Sequence, residues 1–220
     1  YQVYAPDLIG HGDSPHINSQ LGITFEEIYS SFCDWIDSQK FKQEFRLVGH
    51  SLGGLISMNY AMKNPKSLRS LVLINPYYTK NQLNPFLKYI SGNPAPYRNF
   101  LRAAPPWLIH LIVSLDIRGY IHYEDGAREQ KARDVSRAAP EIVYIPGSIP
   151  QFSDHIAEIN LPTAIIWGMK DSTLKPGSFI ELRDLLPNAT SKAIVGAGHQ
   201  PHLTKPDQTN QIIIEFMARN

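Results

Sequence analysis

A single cysteine, Cys33, is all the thiol that these 220 residues contain. That excludes an intrachain disulfide framework and suits a reducing, cytoplasmic compartment. Charge of one sign is equally missing: 21 Lys and Arg against 20 Asp and Glu leave a formal charge of +1. With no basic run either, a nucleic-acid track is excluded and phosphate-rich partners are not expected. Long apolar runs are absent as well. The longest, 107–113, is interrupted by His110 and falls far short of the roughly 20 residues that span a bilayer, so neither a membrane span nor a membrane surface is expected. No internal repeat or low-complexity tract breaks the chain. It opens on Tyr1, in a strand-like segment without a methionine, so the lack of a signal peptide is uninformative. At 43% hydrophobic and 19% charged residues, the composition is that of one soluble domain, large enough to carry an inserted subdomain.

Strand and helix signals alternate through the first part of the chain. Residues 2–5, 45–48 and 71–74 read as strands, and 24–38 and 52–63 as helices, with Pro65 marking the end of the second. This alternation predicts a parallel sheet with crossover helices. Thr24 followed by Glu27 forms a capping box that gives the first helix a defined start. Cys33 falls inside that amphipathic helix and reads as a small buried apolar residue. Proline-rich helical stretches follow at 85–90, 97–102, 106–117 and 126–138. Strand signals resume at 163–167 and 191–195, separated by a helix near 178–186, and 207–218 is a closing helix. The expected organisation is an α/β core of 1–75 and 161–220, with helices on both faces of a mostly parallel sheet and a helical cap inserted at 76–160.

Gly49-His50-Ser51-Leu52-Gly53 lies where the strand 45–48 turns into the helix 52–63. A turn that sharp brings Cβ positions against neighbouring backbone, which the two glycines are expected to relieve. A serine there is set out like a hydrolytic nucleophile. A serine hydroxyl is a weak nucleophile at neutral pH, so it needs an imidazole to take its proton and an acid to orient that imidazole. Asp171, just past the strand 163–167, and His199, just past the strand 191–195, fit those roles. Asp154 and Asp184 are less well placed, and His202 reads as a histidine bracing the loop. The C-terminal rim of a parallel sheet is where such side chains converge.

Four stretches carry a resemblance across nearly the whole chain. They are Asp7-Leu8-Ile9-Gly10-His11-Gly12-Asp13-Ser14, similar to a D-x-x-G-x-G-x-S turn, Gly49-His50-Ser51-Leu52-Gly53-Gly54, Trp167-Gly168-Met169-Lys170-Asp171, and Gly196-Ala197-Gly198-His199. On these the chain resembles an α/β-hydrolase of the esterase and C-C hydrolase group, with triad order Ser, Asp, His. The resemblance implies Ser51, His199 and Asp171 as the triad, the Leu52 backbone N–H as an oxyanion donor, a cap over the site and no cofactor or metal. Haloalkane dehalogenases and epoxide hydrolases of this fold carry aspartate at the elbow, and Ser51 argues against both activities.

Within that family 2–5 would be the fourth strand, preceded by a hairpin and a third strand whose loop brings the second oxyanion donor. Roughly 50 to 70 further residues, as an upstream segment or a separate chain, are therefore expected to complete the sheet. The expected activity is hydrolysis of a small to medium apolar carboxylic ester through an acyl-enzyme. His50, Tyr77 and Trp107 are candidates for contact with that small-molecule substrate. C-C bond hydrolysis or a cofactor-free lyase reaction on the same triad stays open, as does a catalytically weak ligand-binding protein.

Overall fold

The structure is a computed structural model that describes residues 1–16, 22–114, 127–151 and 153–220. In chain order the helices and strands are α1 (Phe25–Gln39), β1 (Phe45–His50), α2 (Leu52–Lys63), β2 (Leu68–Ile74), α3 (Pro85–Gly92), α4 (Pro94–Ala103), α5 (Pro106–Ser114), α6 (Ala127–Ser136) and α7 (Ile145–Ser148). They continue with β3 (Thr163–Gly168), α8 (Gly177–Leu185), β4 (Ala189–Ile194), α9 (Pro201–Thr204) and α10 (Pro206–Arg219). The far end of the expected helix 106–117 and residue 126 of the next lie outside the described residues. No helix among the described residues is long and apolar enough to cross a membrane.

The chain divides into two units. One is Tyr1–Gln39, Phe86–Ile117 and Glu124–Pro150; the other is Lys40–Pro85, Arg118–Tyr123 and Gln151–Asn220.

In the first unit Thr24 and Glu27 form the expected reciprocal cap. The Thr24 N–H donates to Glu27 Oε2 at 2.7 Å, and the Glu27 N–H to Thr24 Oγ1 at 3.3 Å. Phe25, Ile28, Tyr29, Phe32 and Ile36 then form the buried stripe of α1, at the spacing of one helical face. Cys33 is half-buried on the flank of that stripe rather than in the core. Residues 7–14 form a tight turn in which Asp7 Oδ2 accepts the Asp13 N–H at 2.8 Å and Asp7 O accepts the Ser14 hydroxyl at 2.6 Å. Gly12 sits there at φ +54°, and a Cβ on it would overlap the Asp7 carboxylate, so only glycine fits. Residues 2–5, expected to be a strand, form none: Val3 is 82% exposed and pairs with no neighbouring strand. An apolar alternation makes a strand only where a ladder partner takes its N–H and C=O groups.

The second unit holds a parallel sheet in the order β1-β2-β3-β4. β2 and β3 lie in the middle and are buried almost throughout, which is why Leu71-Val72-Leu73-Ile74 and Ala164-Ile165-Ile166-Trp167 read as unbroken apolar runs. Val72, Ile74, Ala164, Ile166 and Ile194 form one face, packed against Ile212, Ile213, Phe216 and Met217 of α10. α2 packs on β1 and β2, and α8 on β3 and β4, so helices flank the sheet in an α/β arrangement. All four strands of this sheet point the same way, which gathers their C-terminal ends on one rim.

Candidate active site

Each of those ends delivers one polar side chain. β1 ends at Ser51, β2 at Asn75, β3 leads to Asp171 and β4 to His199.

Ser51 occupies the turn from β1 to α2 with φ 51° and ψ −115°, a conformation that costs of order 1–3 kcal/mol for a residue with a Cβ. The neighbouring chain holds it there. Its N–H donates to Ile74 O at 3.0 Å, and its carbonyl accepts from the N–H groups of Gly54 at 2.9 Å and Tyr77 at 3.0 Å. A Cβ on Gly49 would overlap the Gly53 carbonyl and Ser57 Oγ, and one on Gly54 would meet Pro76 Cβ at 2.7 Å. Gly53, by contrast, has open space outside its own helix. The crowding expected at both outer glycines of the motif therefore falls on Gly49 and Gly54.

The acid and imidazole loops are stitched together by backbone. The Met169 N–H donates to Ile194 O at 3.1 Å and the Lys170 N–H to Ala197 O at 2.8 Å. Gly168 lies so close that a Cβ there would overlap Ala197 O and Gly198 O. This close approach carries His199 beside Asp171. His199 Nδ1 lies 2.8 Å from Asp171 Oδ2, and its Nε2 lies 3.0 Å from Ser51 Oγ. With a carboxylate at Nδ1, the proton sits on Nδ1, and Nε2 is left to accept from the serine hydroxyl.

Asp171 is buried yet well supplied with donors: its Oδ1 accepts the N–H groups of Thr173 at 2.8 Å and Leu174 at 2.9 Å. Burial alone pushes its carboxyl up, but the hydrogen bond and charge of His199, the Leu174 N–H and the Asn75 amide outweigh that and hold it below the ordinary value. The other candidate acids stand elsewhere. Asp184 is exposed on α8 and bonds to Arg183, and the Asp154 side chain lies outside the described residues.

A second imidazole borders His199, and a third lies against that one. The His50 ring lies 4.8 Å from that of His199 and 4.6 Å from that of His202. His50 Nε2–H donates to the His199 carbonyl at 2.8 Å, bracing the loop from the other side. Burial, then the charges of His199 and His202, drive the His50 pKa well below the ordinary imidazole value, partly countered by the bond to the His199 carbonyl. Burial, with the charge of His199, lowers His202 to about 4. Both are neutral at pH 7.

Leu52 is the first residue of α2, where helix N–H groups lack intrahelical partners. Tyr77 is buried directly beyond β2, with its N–H on the Ser51 carbonyl, and burial raises its phenol. Beside it, the Tyr78 hydroxyl donates to Ser178 O at 2.9 Å, and burial, with the charge of Glu181, pushes its pKa up to about 12. Trp107 belongs to the other unit, on α5, and is 67% exposed. Asn75, unremarked in the sequence, is the added polar member of the rim. An asparagine after a strand looks like any turn residue, and only its contacts 96 positions away distinguish it.

Residues 1–206 match the α/β hydrolase fold family, and the chain belongs to that family. The pimeloyl-acyl-carrier-protein methyl ester esterase of Aeromonas hydrophila is 24% identical, over 99% of this chain and 85% of its own length. Lipase 1 of Psychrobacter immobilis is likewise 24% identical, over 95% of this chain and 66% of its own length. Among solved structures, a thermophilic esterase from Thermogutta terrifontis superposes with a TM-score of 0.79 at 21% identity, covering 97% of this chain and 78% of that one. The chain is thus an enzyme of the α/β-hydrolase kind.

Proposed function

We propose that the protein is a serine hydrolase of small to medium apolar carboxylic esters, with Ser51 as nucleophile, His199 as general base and Asp171 as the group that orients and stabilises the imidazole. The observation that carries this reading is the continuous relay from Ser51 Oγ through both ring nitrogens of His199 to Asp171 Oδ2, at 3.0 and 2.8 Å. The ester class is supported by relatives named as esterases and lipases.

In this reading Ser51 attacks the ester carbonyl as His199 Nε2 takes its proton. The oxyanion is met by the Leu52 N–H at the start of α2, where the helix dipole also favours negative charge. His199 then returns the proton to the leaving alcohol, and finally takes one from water to release the acid. Asp171 stays ionised throughout, because four donors already satisfy its oxygens. The division into a core of 1–75 and 161–220 and a cap of 76–160 belongs to this reading. So does substrate contact by His50, Tyr77 and Trp107, and a second oxyanion donor from residues completing the sheet beyond β1.

A fluorophosphonate probe followed by mass spectrometry is expected to label the Ser51 peptide and to leave Ser51→Ala unlabelled. Hydrolysis of p-nitrophenyl esters should fall by roughly 10⁴-fold or more in that variant. An unlabelled Ser51 would favour a binding protein, and turnover confined to a vinylogous diketone would favour C-C hydrolysis.

A further inference from the structure

We propose that Asn75 is a positioning residue of the relay: its amide fixes the Asp171 oxygen that faces His199, and so sets the basicity of the His199 imidazole. This rests on the serine hydrolase reading and deepens it. Asn75 is completely buried, and its Nδ2 donates to Asp171 Oδ2 at 2.6 Å. That oxygen also takes the His199 Nδ1–H. One carboxylate oxygen therefore receives an amide and an imidazole together, while the other is occupied by the Thr173 and Leu174 N–H groups.

The asparagine is itself held to β3 at two points. Its N–H donates to Ile166 O at 2.8 Å, and its Oδ1 accepts the Gly168 N–H at 3.3 Å. Both anchors belong to the strand that carries Asp171, so the amide and the carboxylate share one frame. Asn75 also holds φ at +40°, a conformation that asparagine tolerates better than most residues. A purely structural turn residue needs neither the donor nor its aim.

The chemical consequence follows from the shared oxygen. A donor on Oδ2 draws charge away from the side that faces His199 and prevents the carboxylate from turning. Removing it leaves a buried carboxylate that is more basic and less fixed. A more basic Asp171 favours the imidazolium, so His199 should titrate higher without the amide. Among the described residues, the other imidazoles near His199 are His50, against its ring, and His202, against the ring of His50 and within reach of the His199 charge, and both exist unchanged in a variant at position 75.

Asn75→Gly keeps the backbone conformation accessible while deleting the amide. The expected result is a fall in kcat of roughly tenfold to a hundredfold with KM little changed, by analogy with loss of a group that orients a catalytic ligand. The acid limb of kcat/KM should move to higher pH, and the His199 titration followed by nuclear magnetic resonance should move with it. A folded variant with native kcat and an unmoved His199 titration overturns the proposal. A second measurement uses the native protein alone. The Asn75 Nδ2–H₂ resonances should shift with the pKa of His199, and resonances that stay flat through that titration overturn it. Neither titration requires turnover, so the hydrolase reading can fail in the fluorophosphonate experiment while the Asn75 coupling is still decided.

Discussion

His202 shows how a single neutral imidazole ties stability to pH. Its Nδ1 is buried without a hydrogen-bond partner, and its folded pKa is about 4 against about 6.5 in an unfolded chain. Between those values the unfolded state binds a proton that the folded state refuses, so stability is lost as pH falls from about 6.5 towards 4. The loss from this group approaches about 3 kcal/mol at its limit, and His50 acts in the same direction. His202→Gln should flatten the dependence. Urea unfolding at pH 7 and pH 5 is expected to give a smaller difference in the variant than in the native protein; equal differences would contradict this.

Asp171 acts in the same direction, in a lower pH window. Its carboxyl is held below the ordinary value, so its contribution is complete above about pH 4 and disappears as pH falls through the folded pKa. Ser51, Asp171 and His199 were legible in the sequence because each has a local signature: a glycine-framed turn, or a polar residue directly after an apolar strand. Asn75 has none, since its meaning lies in Asp171, 96 positions away.

At the scale of the element, the β1–α2 junction separates two glycines that the motif presents alike. A Cβ at position 49 meets the Gly53 carbonyl and Ser57 Oγ, whereas one at position 53 meets no atom outside its helix. Gly49→Ala must push backbone apart, at about 1–3 kcal/mol or more, and should also lower the rate at which Ser51 is labelled. Gly53→Ala should instead be neutral or stabilising by up to about 1 kcal/mol, from helix propensity. Chemical denaturation of the two variants decides it, and equal destabilisation would show that the contacts around Gly49 are not what the turn depends on.

Other element boundaries were less readable for related reasons. β2 begins at Leu68, earlier than expected, because Arg69 and Ser70 interrupt its apolar pattern although Ser70 is fully buried. β4 alternates and is half-exposed, so its signal is weaker than that of β3. Residues 2–5 show the converse, a strand-like pattern without a ladder partner.

In the whole molecule, the sheet that provides stability and the rim that carries the proposed relay share strands but use different atoms. Ile166 illustrates the separation. Its side chain is fully buried in the cluster facing α10, while its carbonyl takes the Asn75 N–H at the rim. Ile166→Ala removes core volume and leaves that backbone bond in place. The expected loss is about 2–5 kcal/mol, which for a chain of this length lowers Tm by roughly 5–15 °C. Well below that Tm, the proposed relay keeps its three side chains and both hydrogen bonds, so kcat should stay within a few-fold of native and Ser51 should still be labelled. Thermal unfolding and fluorophosphonate labelling of the same preparation test both halves. A large fall in Tm with preserved labelling is the expected outcome. Loss of labelling at a temperature where the variant is folded would instead mean that packing under β3 sets the geometry of its C-terminal rim.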